Sequence, residues 1–481
     1  MGCGHFRNNV EMRPVAVRRV EDLLIRPNTF VHRNLHWFGD IYNLNKLQGS
    51  GEFTEVYECT HKKSGKLRAV KIYKKAILHL NNNRDFFQRE IEVLKYLDHP
   101  YIIKLYELFE DQSQYYIVME YTRGTELFQE ILEHRTFTEY EVAVIARSIL
   151  LCFSYLHEMN IVIRDLKPES IIIDGVQIKL IGLGNSCKII PGKRISDPQS
   201  VTYYVAPEVI HGSYNEKCDL WSLGVIVYTL FTGFPPFTGD TDEEIIENVK
   251  AGRYKMVEHL WNVSDEGKDF ISQLLQKENK RPSAKEALNH PFIQKAKYNH
   301  SQTAEPVQAA LNNLMTYPRK NKLAETILTY IASQLFYQSD ISSLVEIFLI
   351  LDADNDGKID KDDLVEGLKK FLGKEVGGAE EAENIIRIVD TGNYGYISYT
   401  EFIKAAIDYN TLVSAENLNA AFDMFDQEGD KQITASELKI ALQADERVAD
   451  NVWTEMVASA DIDGGGILDQ NEFRLLFVSD K

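Results

Sequence analysis

Long apolar runs are missing from this 481-residue chain: no stretch approaches the ~18 consecutive apolar residues of a membrane span, and no secretory apolar core follows Met1. The expectation is a cytoplasmic protein, held at most to a membrane surface. Cysteine is scarce as well. Cys3, Cys59, Cys152, Cys187 and Cys218 are scattered without the paired spacing of a zinc site or a disulfide framework, which points to a reducing compartment. An excess of basic charge is also lacking, since 72 acidic residues face 53 basic ones. Residues 341–481 hold 30 of those acidic residues and only 12 of the basic ones. This acidic third repels polyanions, which excludes nucleic acid as its partner, and attracts cations or basic helices. Apolar content of 44% is ample for a core. The length exceeds the ~250–300 residues at which one core stops growing, so two or three domains are expected.

One pattern occurs four times near the C-terminus: an acidic residue, an apolar residue seven places later and a carboxylate eleven places after the first. The sets are Asp352, Ile359, Asp363; Asp390, Ile397, Glu401; Asp426, Ile433, Glu437; and Asp461, Leu468, Glu472. A helical stripe such as Leu344, Ile347, Phe348 and Leu351 enters the loop, so the unit is helix, twelve-residue loop, helix, paired into two lobes. Upstream, residues 41–294 alternate short β-branched runs with helical patterns, as an α/β or α+β domain does. Residues 295–340 join the two with an amphipathic stretch, Leu311 to Leu335, beside Arg319, Lys320 and Lys322. The stretch reads as a target helix for the acidic lobes, or as an ordinary linker helix.

The upstream domain carries landmarks in a fixed order. Gly49-Ser50-Gly51-Glu52-Phe53-Thr54-Glu55-Val56 is followed by Val70-Lys71, then Glu90, then Ile163-Arg164-Asp165-Leu166-Lys167-Pro168-Glu169-Ser170. Gly182-Leu183-Gly184, Ala206-Pro207-Glu208, Asp219-Leu220-Trp221 and Arg281 complete the series. It resembles a serine/threonine protein kinase, and with four EF-hand-like loops behind it the chain resembles a calcium-dependent protein kinase. The fold implied is an α+β bilobal protein kinase fold followed by an all-α calmodulin-like domain of four EF-hands. The division is residues 1–40 as an N-terminal extension, 41–294 as the kinase-like domain, 295–340 as a junction and 341–481 as the EF-hand domain.

The resemblance also implies roles. Gly49, Gly51, Val56, Ala69, Lys71, Glu90, Met119 and Glu120 would hold ATP, with Met119 as gatekeeper before the hinge. Asp165 would accept the substrate hydroxyl proton, Lys167 would neutralise the moving phosphoryl group, and Thr202 would brace Asp165. Glu126 and Glu169 match carboxylates that read basic residues in a substrate. The departures concern Mg²⁺. Gly182 and Ser170 stand where the family has its metal-binding Asp and Asn, and Mg²⁺ needs hard oxygens that glycine does not have. Thr54 replaces the third loop glycine and Ile163 a histidine.

An EF-hand loop needs oxygens at positions 1, 3, 5, 9 and 12, a carbonyl at 7 and glycine at 6. The first loop supplies Asp352, Asp354, Asp356, Asp360 and Asp363, with the Lys358 carbonyl at 7. The second has Gly392 and Tyr394 at positions 3 and 5 and is not expected to bind an ion. The third keeps Asp426, Glu428, Asp430 and Glu437 but has Lys431 at the turn. The fourth keeps Asp461, Asp463, Asp469 and Glu472. Gly2 and Cys3 resemble a dual acylation start, although Phe6 replaces the usual hydroxyl residue; the plain alternative is a disordered basic tail.

Three functions fit. The first is a Ca²⁺-responsive pseudokinase that changes protein partners, with the 311–335 helix moving between docks. The second is a Ca²⁺-activated serine/threonine kinase using ATP on basic substrates. The third is an assembly subunit whose EF lobes hold their target helix irrespective of Ca²⁺.

Overall fold

The computed structural model describes residues 17–34, 36–51, 54–80, 84–134, 137–197, 203–254, 263–296, 304–373, 378–442 and 448–477. Gly2, Cys3 and Thr202, singled out from the sequence, lie outside the described residues.

The first lobe is a six-stranded sheet in the order β1-β5-β6-β4-β3-β2, formed by β1 (His32–Arg33), β2 (Tyr42–Ser50), β3 (Thr54–His61), β4 (Leu67–Lys74), β5 (Leu105–Glu110) and β6 (Gln114–Glu120). All neighbours are antiparallel except β1, which joins β5 in parallel. Alternation along β4, with Arg68, Val70 and Ile72 buried, gives the sheet two faces. Helix α1 (Arg84–Leu94) packs on one of them and carries Glu90.

The second lobe is mainly helical. Its central helix α2 (Glu139–Glu158) starts with a capping box between Thr138 and Glu141, then runs apolar on all sides because the lobe surrounds it. It is the one described helix long and apolar enough to cross a membrane, and here it is core. Helix α3 (Lys217–Thr232) packs beside it and ends at Gly233, whose φ of 76° closes the helix in the left-handed region. Cys59, Cys152 and Cys218 are buried thiols, and burial pushes Cys59 up to about 12.

The junction differs from expectation. The single helix over 311–335 is two, α4 (Ala304–Thr316) and α5 (Lys322–Gln334), and Pro318 lies between them. Proline lacks an N–H and blocks the preceding turn, while Asn321 restarts the helix by accepting from the Ala324 N–H at 2.8 Å. Helix α4 buries Val307, Ala310, Leu311 and Leu314 against the first EF pair, α6 (Ser342–Leu351), α7 (Lys361–Leu372), α8 (Gly378–Val389) and α9 (Tyr399–Ala406). Helix α5 is buried from Leu323 to Gln334. It lies on α9, on α10 (Ala415–Phe425) and on α12 (Asp450–Ala458). The remaining second-pair helices are α11 (Ala435–Leu442) and α13 (Gln470–Leu475). Within each pair the loops join by a short β contact, Ile359 with Ile397 and Gln432–Ile433 with Leu468–Asp469. The apolar eighth loop residues make that contact.

Candidate nucleotide site and calcium loops

In the first lobe, strand register brings Gly49, Val56, Ala69, Lys71 and Met119 side by side. Val56 lies opposite Lys71 and Gly49, and Ala69 lies opposite Met119. Lys71 Nζ donates to both Glu90 oxygens, at 2.7 and 3.1 Å, and the Tyr73 hydroxyl donates to the same carboxylate. Glu90 is fully buried, so these donors are what keep its charge tolerable. At the glycine turn the Gly51 N–H bonds to the Thr54 carbonyl at 2.8 Å. Thr54 Oγ1 lies 3.1 Å from where a Gly51 Cβ would stand, so the threonine fills space a third glycine leaves open. Glu120, at the end of β6, pairs with Lys179 at 2.8 Å.

The loop bearing Asp165 is fixed from below. Asp219, fully buried on α3, accepts from the Ile163 N–H at 3.0 Å, the Arg164 N–H at 2.8 Å and pairs with His157 Nε2 at 2.9 Å. Arg164, at φ 69°, reaches Asp197 at 2.8 Å and the Asn185 carbonyl at 2.6 Å. Asp165 Oδ2 accepts from Asn185 Nδ2 at 2.9 Å, and Lys167 Nζ stands 3.8 Å away. Asn185 is a neighbour that sequence reasoning missed; its one signal is that it directly follows Gly182-Leu183-Gly184.

The two altered metal positions touch. The Ile181 N–H donates to the Ser170 carbonyl at 2.8 Å, and a Cβ built on Gly182 would lie 2.3 Å from Ser170 Oγ and 2.5 Å from Ser170 Cβ. The serine thus occupies the space a side chain at 182 would need. Neither residue brings a carboxylate, and a single neutral hydroxyl does not fit Mg²⁺. Elsewhere in the cleft, the Glu126 carboxyl is held above its usual range by burial and then by the charge of Glu169.

In the EF domain, carboxylates converge in three of the four loops: Asp352, Asp354 and Asp363; Asp426, Asp430 and Glu437; Asp461, Asp463 and Glu472. Oxygens from each set lie within 4.8 Å of one another. This donor chemistry fits Ca²⁺. Asp360 and Asp469 stand outside those clusters as N-caps, accepting from the amides of residues 362–363 and 471–472. Asp356 pairs with Lys358 at 3.4 Å, and Glu428 meets Glu437 through its own N–H at 3.2 Å. Lys431 adopts φ 66°, the left-handed turn that glycine serves elsewhere in the domain. In the second loop Glu401 is saturated by protein donors, the amides and hydroxyls of Thr391 and Ser398 and the Gly392 N–H.

Burial first, then mutual repulsion, raises Asp352, and burial raises Asp363 to about 6. Three crowded anions in a half-dry loop are stabilised by a divalent cation. Asp352→Ala and Asp461→Ala are therefore expected each to remove one Ca²⁺ from the stoichiometry read by titration calorimetry, whereas Asp390→Ala leaves it unchanged. An equal loss from Asp390→Ala would show that the second loop binds an ion.

The loops also face the kinase-like domain. Lys285 bridges Glu158 at 2.9 Å and the first-loop Asp354 at 3.0 Å. Gly357 packs so tightly on the Tyr155 ring that a Cβ there would lie 2.6 Å from it. Asp98 accepts from the Thr400 N–H at 2.8 Å and hydroxyl at 2.7 Å, and Lys63 reaches the Asp426 carbonyl at 2.9 Å.

A bilobal kinase fold in contact with paired EF-hand loops defines a kinase-type protein with a calcium-binding EF-hand domain. The family model for the protein kinase domain matches residues 42–293, and that for an EF-hand domain pair matches residues 341–407. Calcium-dependent protein kinase 4 of Plasmodium falciparum (isolate 3D7) is 34% identical over 472 residues, 94% of this chain and 89% of the relative. Calcium-dependent protein kinase 3 of Plasmodium yoelii yoelii is 37% identical over 410 residues, 83% and 74% of the two chains. The chain belongs to the calcium-dependent protein kinase family.

Proposed function

We propose that the protein is a calcium-responsive pseudokinase, which changes its protein contacts with Ca²⁺ and does not transfer phosphate efficiently. The observation that carries this reading is the Gly182–Ser170 contact: both metal ligands are replaced, and Ser170 fills the space a side chain at 182 would need. Without a bridging metal, charge developing between the β and γ phosphates is uncompensated, in a reaction driven by positioning and electrostatics. One oxygen of Asp165 already accepts from Asn185. The Glu126–Glu169 pair supports a basic protein segment as the partner in the cleft. Ca²⁺ entering the first loop competes with Lys285 for Asp354, which supports a change in how the EF lobes sit on the kinase-like domain.

Nucleotide binding tests the reading. Mg²⁺ is expected to change ATP affinity by no more than about twofold, because phosphate alone would hold the metal. Gly182→Asp alone is expected to destabilise the chain by about 1–3 kcal/mol, as overpacking does, and Ser170→Gly in the same chain to relieve it. The second reading, an active Ca²⁺-dependent kinase, rests on the intact Lys71–Glu90 pair. Mg²⁺-dependent phosphoryl transfer that Asp165→Ala abolishes would establish it and overturn ours.

A further inference from the structure

The second EF-hand loop lacks the oxygens of an ion site, yet it is engaged. Arg26 Nε and Nη2 both donate to the Gly392 carbonyl, each at 3.1 Å, and the guanidinium lies over the Tyr394 ring, 4.7 Å from its centroid. The backbone joins in. The Ile25 N–H donates to the Thr391 carbonyl at 3.3 Å, and the Thr391 hydroxyl returns a bond to the Ile25 carbonyl at 3.4 Å.

The two residues that spoil the loop for calcium are the two that make this contact. Gly392 offers a bare carbonyl, and a Cβ there would stand 2.3 Å from the Tyr394 ring, so the ring keeps its place only beside glycine. Tyr394 supplies the aromatic face on which a guanidinium is stabilised. Glu401, the usual bidentate ligand, is meanwhile spent on Thr391, Gly392 and Ser398.

The segment on either side of Arg26 is anchored independently. Leu23, Ile25 and Phe30 are buried, and the Phe30 ring meets Tyr330 of α5 edge-on at 5.6 Å. Downstream, β1 adds His32–Arg33 to the edge of the kinase-like sheet; upstream, Val17 pairs with Val448. One arm, with short 3-10 turns at Val20–Asp22 and Pro27–Phe30, therefore touches the first lobe, the junction and both EF pairs.

We propose that the second loop is a peptide-binding site and not an ion site, and that its ligand is this chain's own Ile25–Arg26, whose guanidinium bonds the Gly392 carbonyl and covers the Tyr394 ring. The contact needs no calcium, so the arm holds the first EF pair to the sheet while the remaining loops titrate. The proposal stands whether or not the cleft is catalytic.

Hydrogen exchange of the full chain, with and without Ca²⁺, tests it. Arg26→Gln is expected to speed exchange of amides 391–396 and 23–26 about tenfold or more, through local opening, equally in both conditions. Arg26→Lys, which keeps the charge, should retain most of the protection, and α2 serves as the internal control for the rest of the chain. Titration calorimetry should find the same number of Ca²⁺ ions in Arg26→Gln as in the parent. Unchanged exchange at 391–396 would overturn the proposal. So would an additional bound ion in Arg26→Gln, since the arginine would then be blocking a metal site.

Discussion

Lys404→Met is expected to cost the junction and EF-hand domain about 3–5 kcal/mol, the penalty of leaving one charge of a buried pair without its partner. Lys404 Nζ lies 2.9 Å from Glu325 Oε2, and the side chains are 0% and 8% exposed. Glu325 sits on α5 and Lys404 on α9, so the pair fastens the junction to the exit helix of the second loop. Around it, the Tyr317 hydroxyl is 3.3 Å from Glu325, and Lys404 reaches Thr391 Oγ1 at 3.3 Å. Those neutral neighbours cannot hold an isolated carboxylate out of water. Hydrogen exchange along 322–334 reads the loss directly, and Glu325→Leu in the same chain should recover part of it, because the apolar pair removes two desolvation costs while the buried Glu401 still lacks the Lys404 charge. A cost below about 1 kcal/mol, the range of exposed ion pairs, would refute the assignment.

Asp219→Ala is expected to be comparably damaging in the other domain, at about 3–5 kcal/mol, since each buried donor left unpaired costs about 1–3 kcal/mol. Two amides and His157 lose their acceptor at once. Arg164 is held at positive φ partly by its own amide bond to Asp219, so the Asp165 loop should relax with it. The measurement is thermal unfolding together with exchange at 161–166. Asp219→Asn, which retains one acceptor oxygen, should fall between the parent and alanine; an alanine variant as stable as the parent would mean that the loop is fixed elsewhere.

The landmarks around Lys71, Asp165 and Asp219 and the twelve-residue loops were legible because each is short and local, and spacing alone recovers them. Which loops converge followed from counting oxygens: the loop with Gly392 and Tyr394 is the one without a carboxylate cluster among the described residues. Asp360 and Asp469 were ambiguous for a physical reason, because an aspartate just before a helix is equally an N-cap and a ninth-position ligand. Pro318 marks the junction break, while the apolar stripe that continues on both sides of it reads as one helix. Contacts such as Asp98 with Thr400, Lys285 with Asp354 and Arg26 with Gly392 join residues far apart in sequence. No period in the chain encodes them, and only the packed fold brings them together.

Gly357 answers to two demands at once. Its φ of 82° turns the first loop, and its bare Cα lets the Tyr155 ring lie against that loop. A substitution there would strain the ion site and push the two domains apart in the same step, so neither property can drift without the other. Selection on calcium affinity at this loop is also selection on the fit between the sensor and the domain it clasps.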